Sequence, residues 1–362
     1  MLFRFRDSGV AKKIVERLKE MNLDIRVMHV CGTHQDTLVR FGLDELFSSV
    51  GVEVRQGPGC PVCVTTPFEI AQATTLARCG KTVVTFGDMA PVPSVGGSLL
   101  DARAEGCDVR IVYSVEEAVK VAKREPQRDV VFFAVGFETT APTTAAALLS
   151  ETPPNFYVLS AHRLIPPAME ALLRLGELRI DGFINPGHVS TIIGTTPYER
   201  ISAKYRVPQV VAGFEPLDMM MGIYMLARQI KEGRCEVENE YSRVVRADGN
   251  VKAQNMMREV FSVVDTKWRG LPEIPESGLS LRRSFEEHDA SKAFEDELKE
   301  LLERKAEFKE PTGCRCGEIL RGLIYPEECP LFAKRCTPES PVGPCMVSRE
   351  GSCNIFYKYR RK

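Results

Sequence analysis

The chain has 362 residues, of which 44% are hydrophobic and 27% are charged, a composition typical of a globular protein with two or three domains. Its 48 basic and 49 acidic residues leave a net charge of −1, which gives no electrostatic sign of binding to nucleic acid or to a membrane surface. No apolar run is long enough to span a bilayer, and residues 1–7 lack the apolar core of a signal peptide, so we expect a cytoplasmic protein.

The first two predicted strands each end in a cysteine motif. A helical pattern over residues 8–22, with Ser8 as the expected N-cap, precedes a β-branched run from Asp24 to Val30. That run ends at the motif Cys31-Gly32-Thr33-His34, after which a helical pattern resumes. The next strand, residues 52–55, leads through Gly57-Pro58-Gly59 to Cys60 and Cys63, which open a predicted helix. The helix dipole favours thiolate at that position, so the pair suits dithiol redox chemistry or the binding of a soft metal.

The same rhythm of strand, polar loop and helix continues to about residue 231. The further predicted strands cover residues 81–86, 109–113, 130–135, 156–159, 180–184 and 209–212. A polar linker at residues 124–129 divides the eight units into two halves of four. Short apolar strands that alternate with helices predict parallel sheets covered on both faces, so we expect an α/β protein with two similar domains that face a cleft.

Ligands of such sheets bind beyond the carboxyl ends of the strands, where the polar and sulfur-bearing motifs lie. The candidate cleft residues are Cys31, His34, Cys60, Cys63, Asp88, Glu138, His162, His188 and Glu215. These residues also have purely structural interpretations. Cys31 could be a buried thiol and His34 a core histidine. Glu138 and Glu215, which both follow Gly-Phe, could be helix N-caps. His29, inside an apolar strand, is interpreted as structural.

The last third of the chain is different in character. Residues 240–268 and the charged residues 284–309 have helical spacing, and a segment rich in proline and cysteine follows. Its spacing is Cys314-x14-Cys329-x6-Cys336-x16-Cys353, with Cys316 and Cys345 as additional thiols. Four thiolates in a loop-rich segment fit zinc or an iron–sulfur cluster, and the absence of a close Cys-x-x-Cys pair favours iron–sulfur. We therefore divide the chain into domains at residues 1–125, 126–240 and 241–362.

Six segments, in order, resemble the hydrogenase maturation family HypD. They are Cys31–His34, Gly57–Cys63, Thr85–Met89, Gly136–Pro142, Pro186–Ser190 and Pro344–Cys353. The resemblance implies two similar α/β domains and a third domain that holds one 4Fe–4S cluster. It also implies that Cys31 coordinates iron with His34 beside it, and that Cys60 and Cys63 are a redox dithiol. Cys314, Cys329, Cys336 and Cys353 would be the cluster ligands, with Cys316 as an alternative to Cys314.

The function implied by the resemblance is assembly of the Fe(CN)2CO unit of nickel–iron hydrogenase. A small HypC-type chaperone would share the iron, which carries cyanide and carbon monoxide only transiently. A HypE-type protein, with its carbamoyltransferase partner, would donate cyanide, and the hydrogenase large subunit would receive the finished unit. Two other functions compete: a stand-alone iron–sulfur dithiol oxidoreductase with its own small substrate, and a zinc-stabilised binding module.

Overall fold

The structure, a computed structural model, describes residues 7–360 and contains two parallel sheets and one antiparallel ribbon. The prediction for residues 1–7 falls almost entirely outside this part of the chain. The strands are β1 (Ile25–His29), β2 (Val52–Gln56), β3 (Thr82–Thr85), β4 (Val109–Ile111), β5 (Val130–Gly136), β6 (Phe156–His162), β7 (Gly182–Pro186), β8 (Gln209–Ala212), β9 (Val237–Asn239), β10 (Phe261–Lys267) and β11 (Glu273–Leu281). The α/β class with parallel sheets is confirmed.

The strand order differs from the expectation of two consecutive halves. One sheet has the order β2-β1-β7-β8-β9 and the other has the order β4-β3-β5-β6. The chain therefore leaves the first sheet after β2, builds the whole second sheet, and returns to pair β7 beside β1. Local sequence patterns do not predict the pairing of β7 with β1, because it depends on packing between residues that are distant in sequence. The domain limits at residues 125 and 240 stay predictions.

Helices cover both faces of each sheet. They are α1 (Ser8–Glu20), α2 (Gly32–Arg40), α3 (Leu43–Ser48), α4 (Pro61–Val64), α5 (Pro67–Arg78), α6 (Leu99–Ala104), α7 (Val115–Arg124), α8 (Ala141–Leu148), α9 (Ile165–Leu175), α10 (Gly187–Ile193), α11 (Thr196–Tyr205), α12 (Pro216–Glu232), α13 (Val251–Val260), α14 (Ala290–Ala293), α15 (Glu295–Glu303), α16 (Cys316–Leu320), α17 (Pro344–Val347) and α18 (Ser352–Arg360), with 3-10 turns at Arg283–His288, Lys305–Glu307 and Pro326–Glu328. Asp7, not Ser8, caps α1, since its carboxylate accepts from the backbone N–H groups of Gly9 and Val10.

The segment after α12 is helical only in part, which corrects the prediction of a helix over residues 240–268. α13 is followed directly by β10, which pairs antiparallel with β11. The side chains of β10 alternate in burial from Phe261 onwards, as expected of a strand with one covered face. The β-branched residues Val263, Val264 and Thr266 favour a strand, and that composition outweighs the apolar spacing that suggested a helix. The predicted break at residues 268–272 is the turn of this hairpin.

The two sheets share one apolar core. Met28 and Phe183 of the first sheet belong to the same cluster of buried side chains as Val131 and Phe133 of the second. The cysteine-rich tail packs into this cluster as well, through residues such as Ile319 and Met346. Among the residues the structure describes, no helix is long and apolar enough to cross a membrane.

Candidate functional site

The order of strands in the first sheet places four of the predicted motifs side by side. β2, β1, β7 and β8 are consecutive neighbours in this parallel sheet, so their carboxyl ends lie along one edge. The Cys60 loop follows β2, Cys31 follows β1, His188 lies in the helix after β7, and Glu215 follows β8. The motifs were recognised singly in the sequence, and the strand order makes them neighbours.

Cys31, Cys60 and Cys63 line one small cavity at this edge, with a volume of about 10 Å³. Cys60 and Cys63 form a disulfide, and the sulfur of Cys60 also accepts a hydrogen bond from the backbone N–H of Cys63 at 3.1 Å. All three cysteines are buried. The cavity contains no room for a large organic molecule, since pockets for small-molecule ligands usually measure about 300–1,000 Å³.

Two glycines of the motifs allow other segments to pack closely against the loop of Cys31. A Cβ atom on Gly59 would lie 2.1 Å from the backbone nitrogen of Cys31, and one on Gly32 would lie 2.4 Å from the Cβ atom of Glu350. Gly59 therefore lets the dithiol loop pass against the Cys31 loop, while Gly32 admits the segment that carries Glu350. The glycines in Cys-Gly-Thr-His and Gly-Pro-Gly-Cys are required by these contacts.

The thiol of Cys31 is neutral in its present surroundings. Burial, with a further contribution from the nearby Glu350 carboxylate, raises the pKa of Cys31 to about 12. The backbone N–H groups of Thr33 and His34 at the start of α2 act in the opposite direction, because they favour a negative charge on the sulfur. A cation bound to this sulfur would favour its thiolate form, since coordination by a metal ion deprotonates a thiol.

His34 presents one ring nitrogen that is free to act as an electron-pair donor. Its Nε2 atom lies 3.0 Å from the carbonyl oxygen of Gly213 and 3.2 Å from that of Ala212. A carbonyl oxygen can only accept, so Nε2 carries the proton and Nδ1 carries a lone pair. Nδ1 is buried without a hydrogen-bond partner, and burial lowers the pKa of His34 to about 3. A histidine that donates one N–H to a backbone carbonyl is the arrangement usual for a metal ligand.

His29 belongs to the site, although the sequence suggested a structural histidine. It lines the cavity with Cys31, and its Nε2 atom donates to the side-chain oxygen of Gln35 at 2.6 Å. Its Nδ1 atom is buried without a partner, and burial lowers the pKa of His29 to about 4. The rings of His29 and His34 meet edge to face, with centroids 6.2 Å apart. The spacing of one histidine at the end of β1 and a second at the start of α2 was the available signal.

Glu350, from the tail, is the second residue that sequence reasoning missed. It lines the same cavity as Cys31, and burial raises its pKa. Asp88 holds the neighbouring backbone: its carboxylate accepts from the N–H of Arg349 at 3.1 Å and from the hydroxyl of Ser348 at 3.3 Å. Asp88 therefore does not line the cavity itself, and instead holds the tail backbone next to Glu350. The tail segment was recognised in the sequence for its cysteines, but nothing there indicated which strand ends it would cover.

The remaining cleft candidates, together with His34 and Asp88, lie outside the lining of this cavity among the described residues. Glu138 is buried and accepts from the backbone N–H of Ile165 at 2.9 Å, while burial raises its pKa to about 7. His162 is buried, contacts the hydroxyl of Thr144 at 3.0 Å, and has its pKa lowered by burial to about 4.

His188 and Glu215 lie along the edge of the first sheet, beyond His34. The His188 ring stacks on Phe214 with centroids 3.9 Å apart, and the Phe214 ring also contacts His34 at 5.0 Å. Glu215 immediately precedes α12, and its backbone N–H donates to Asp218. His188 is therefore linked to His34 of the Cys31 motif through the ring of Phe214. Glu215 lies at the helix N-terminus, as its structural interpretation predicted.

The tail forms a second group of sulfur atoms. Cys316 hydrogen-bonds with Cys314, Cys345 and Cys353, and Cys345 also hydrogen-bonds with Cys353. These contacts lower the pKa of Cys345 to about 6, because two neighbouring thiols stabilise its thiolate, and they raise the pKa of Cys314 and Cys353. The sulfur of Cys336 accepts from the backbone N–H of Val342 at 3.3 Å.

This donor set fits an iron–sulfur cluster in its chemistry. Cys329 and Cys336 are buried in the same segment as Cys316, Cys345 and Cys353, and thiolate is the usual protein ligand of iron–sulfur clusters. A Cβ atom on Gly343 would lie 2.6 Å from the sulfur of Cys314 and 2.9 Å from that of Cys316, so a side chain at this position would clash with both sulfur atoms. Across residues 7–360, no three His, Cys, Asp or Glu side chains are arranged to bind a single metal ion.

Comparison with known proteins agrees with this arrangement. The sequence profile of the HypD family, described as the hydrogenase formation hypA family, matches residues 8–360. The chain belongs to the HypD family. It is 45% identical over 372 residues to the hydrogenase maturation factor HypD of Cupriavidus necator, covering 99% of this chain and 96% of the relative.

Further HypD relatives show the same extent of similarity. The hydrogenase maturation factor HypD of Azotobacter vinelandii is 44% identical over 372 residues, covering 99% of this chain and 96% of the relative. The protein of the same name from Escherichia coli strain K12 is 43% identical over 343 residues, covering 93% of this chain and 90% of the relative. The similarity to HypD proteins thus includes the dithiol loop, the Cys31 motif and the cysteine-rich tail.

Proposed function

We propose that this chain is the cytoplasmic scaffold on which the Fe(CN)2CO unit of nickel–iron hydrogenase is assembled. A HypC-type chaperone shares the iron, a HypE-type protein with its carbamoyltransferase partner supplies cyanide, and the hydrogenase large subunit receives the finished unit. One observation carries the proposal: a single thiol, Cys31, and a disulfide, Cys60–Cys63, line the same small cavity in a member of the HypD family.

Cys31 is the proposed iron ligand of this chain. Iron that carries cyanide is a soft centre, and thiolate is the protein ligand suited to it. Cys31 lies at the start of α2, where two backbone N–H groups face its sulfur and support a negative charge. His34 lies one turn further along this helix with an unprotonated Nδ1 atom, and is the second candidate ligand.

The dithiol supplies the two electrons that cyanide transfer needs. Release of cyanide from a protein thiocyanate takes up two electrons and yields one thiolate and one cyanide ion. Two thiolates, Cys60 and Cys63, provide those electrons when they form their disulfide, so charge and electrons balance. The Cys60–Cys63 disulfide of the structure corresponds to the oxidised form of the pair in this proposal. The pair must then be reduced again before a second cyanide is transferred.

A 4Fe–4S cluster in the tail would provide that reduction, one electron at a time. The residues that would hold it are Cys329, Cys336 and Cys353 together with Cys314 or Cys316. Their thiols lie in buried surroundings, and Cys345 hydrogen-bonds with Cys316 and Cys353. α17, which carries Cys345, packs against α4, which carries Cys63, so the tail and the dithiol are in contact. This contact supports a short path for electrons between them.

The size of the cavity favours a scaffold over a stand-alone oxidoreductase. At about 10 Å³ the cavity has room for little more than one water-sized group, which disfavours an organic substrate bound beside the disulfide. The edge of the sheet also presents the stacked pair His188 and Phe214, of which His188 is exposed. An exposed aromatic and imidazole surface next to a buried thiol is suited to cover by a partner protein.

The test is anaerobic co-purification with a HypC-type chaperone, followed by iron counting and infrared spectroscopy of the complex. We expect iron–cyanide and iron–carbonyl bands, and about four irons per chain from the cluster in addition to the assembled iron. Turnover of a small disulfide or thiocyanate by the isolated chain, without bands in the complex, would instead support the oxidoreductase. A colourless protein that contains zinc would contradict both functions.

A further inference from the structure

Arg269, at the turn between β10 and β11, is a buried cation with unused hydrogen-bond donors. Its side chain is fully inaccessible to solvent, and its Nε atom donates to the carboxylate of Glu310 at 2.7 Å. The atoms Nη1 and Nη2 are buried without any partner. A guanidinium has five N–H donors, and leaving most of them unsatisfied in a buried position is costly. The arrangement therefore indicates a missing acceptor.

Arg269 lies between α4, the helix of the dithiol, and α16, the helix that opens the group of tail cysteines. Its backbone N–H donates at 2.8 Å to the carbonyl oxygen of Val64, the residue directly after Cys63. The next residue, Gly270, is in close contact with α16: a Cβ atom on Gly270 would lie 2.3 Å from the Cα atom of Gly317, next to Cys316. The same short segment thus contacts both the helix of the dithiol and the helix that opens the tail group.

The charge of Arg269 acts on the tail thiols. Its guanidinium lies close enough to Cys314 and Cys345 for an electrostatic interaction with both sulfur atoms. Arg269 also borders a surface cavity beside α5. Because Nη1 and Nη2 are inaccessible to solvent, an anion from that cavity does not reach them in this structure. The sulfur atoms of the tail are the acceptors that fit this position.

We propose that Arg269 is a positioning residue for the iron–sulfur centre, donating its free Nη–H groups to the cluster and its thiolates and so raising the reduction potential. The inference rests on the proposed function, since it requires the cluster in the tail. Reduction adds one negative charge, and a buried cation nearby stabilises the reduced form more than the oxidised form. The buried guanidinium therefore favours acceptance of an electron at a point next to the dithiol.

The test is a redox titration, followed by electron paramagnetic resonance, of full-length wild-type protein and Arg269→Gln. At a fixed potential near the midpoint, we expect the ratio of reduced to oxidised cluster to fall about tenfold in the variant, equivalent to 59 mV for a one-electron couple. Arg321→Gln is the matched control. It removes a guanidinium next to α16 that is already paired with Glu177 and partly exposed, so we expect little change.

Glu310→Gln distinguishes a charge effect from a structural one. Glutamine keeps an oxygen that can accept from Nε of Arg269, but it removes the negative charge that offsets the guanidinium. We expect the ratio of reduced to oxidised cluster to rise, opposite in sign to Arg269→Gln. Arg269→Lys keeps the charge and should restore most of the wild-type ratio. A merely structural role would not give shifts of opposite sign.

The outcomes separate this inference from the proposed function. A wild-type protein without visible absorption or iron would end the cluster assignment itself. A fully loaded Arg269→Gln protein with an unchanged potential would overturn the role of Arg269 while leaving the cluster in place. If Arg269→Gln fails to retain iron, Glu310→Gln decides: a rise in the reduced fraction supports the proposal, and an unchanged or lowered reduced fraction contradicts it.

Discussion

The two parallel sheets end in similar polar motifs but use them differently. Along the edge of β2, β1 and β7, the motifs supply a disulfide, a free thiol and a histidine with an open ring nitrogen. Along the edge of β3, β5 and β6, Asp88, Glu138 and His162 bind backbone or hydroxyl groups nearby. A motif at a strand end thus becomes part of a sulfur site only where neighbouring strands in sheet order bring compatible motifs together.

The tail explains much of the difference between the two edges. It contributes Glu350 to the cavity beside Cys31, and at the second edge it donates hydrogen bonds to Asp88. The first edge is therefore closed by a segment rich in thiols, while the second edge fixes that segment in place. We expect substitutions of the thiol and histidine side chains at the first edge to affect chemistry or assembly, and substitutions of the buried polar side chains at the second edge to affect stability.

The largest expected effect on stability is that of Gly59→Ala at the first edge. The new methyl group would lie 2.1 Å from the backbone nitrogen of Cys31 and 2.2 Å from the carbonyl carbon of Val30, and backbone cannot move aside cheaply. We expect the free energy of unfolding to fall by about 3 kcal/mol or more in urea denaturation. The matched control is Gly87→Ala at the second edge, where Ile111 Cγ2 at 3.5 Å is the nearest atom.

The control is expected to change the unfolding free energy by less than about 0.5 kcal/mol. Equal losses for Gly59→Ala and Gly87→Ala would show that the two edges are packed alike. That result would remove the structural contrast between them.

The second prediction concerns the pH dependence of stability at Glu138. Burial raises the pKa of this carboxyl to about 7 from 4.5, so the folded protein holds a proton that the unfolded chain releases. Its contribution is fully present below pH 4.5 and is lost as the pH rises through about 7. The loss amounts to about 3 kcal/mol of unfolding free energy. In Glu138→Gln this loss should be absent, as measured by urea denaturation at pH 5 and pH 8.

Comparing the two proteins at both pH values isolates Glu138 from the buried histidines, which titrate in wild type and variant alike. Parallel pH profiles for wild type and Glu138→Gln would contradict the buried, protonated state of this carboxyl.

The smallest expected effect is that of Asp88→Asn. Asparagine keeps an oxygen that can accept from the N–H of Arg349 but loses the charge that strengthens both hydrogen bonds to the tail. We expect a loss of about 1 kcal/mol and faster hydrogen exchange in the tail around Arg349 and Glu350. Unchanged exchange there would mean that the tail is held over the cavity by other contacts.

Much of this site follows from local sequence patterns. The strands before Cys31 and Cys60 and the Cys-x-x-Cys pair opening a helix are confirmed by the structure. These features depend on residues close in sequence, where turn glycines and β-branched runs determine the backbone. The roles of Cys31 and of the tail cysteines stay predictions that the geometry supports.

The features that sequence could not provide are long-range. β7 returns to pair with β1, and Glu350 lies beside Cys31; both contacts join residues more than a hundred positions apart. The segment Arg269–Gly270, which contacts α4 and α16, lies in the turn of a hairpin whose first strand was predicted to be helical. His29 was assigned to the core because its neighbours are apolar, and burial indeed neutralises it. A buried histidine can still belong to a site when one of its ring nitrogens has no hydrogen-bond partner.

The central claim is that Cys31 holds the iron beside the Cys60–Cys63 disulfide. The most direct test is infrared spectroscopy of the chaperone complex with Cys31→Ala, with Cys79→Ala as the control, since Cys79 is an exposed free thiol outside the cavity. The account predicts that the iron–cyanide bands vanish in Cys31→Ala and persist in Cys79→Ala, while the visible absorption of the cluster is unchanged in both. Full bands in the Cys31→Ala complex would contradict it.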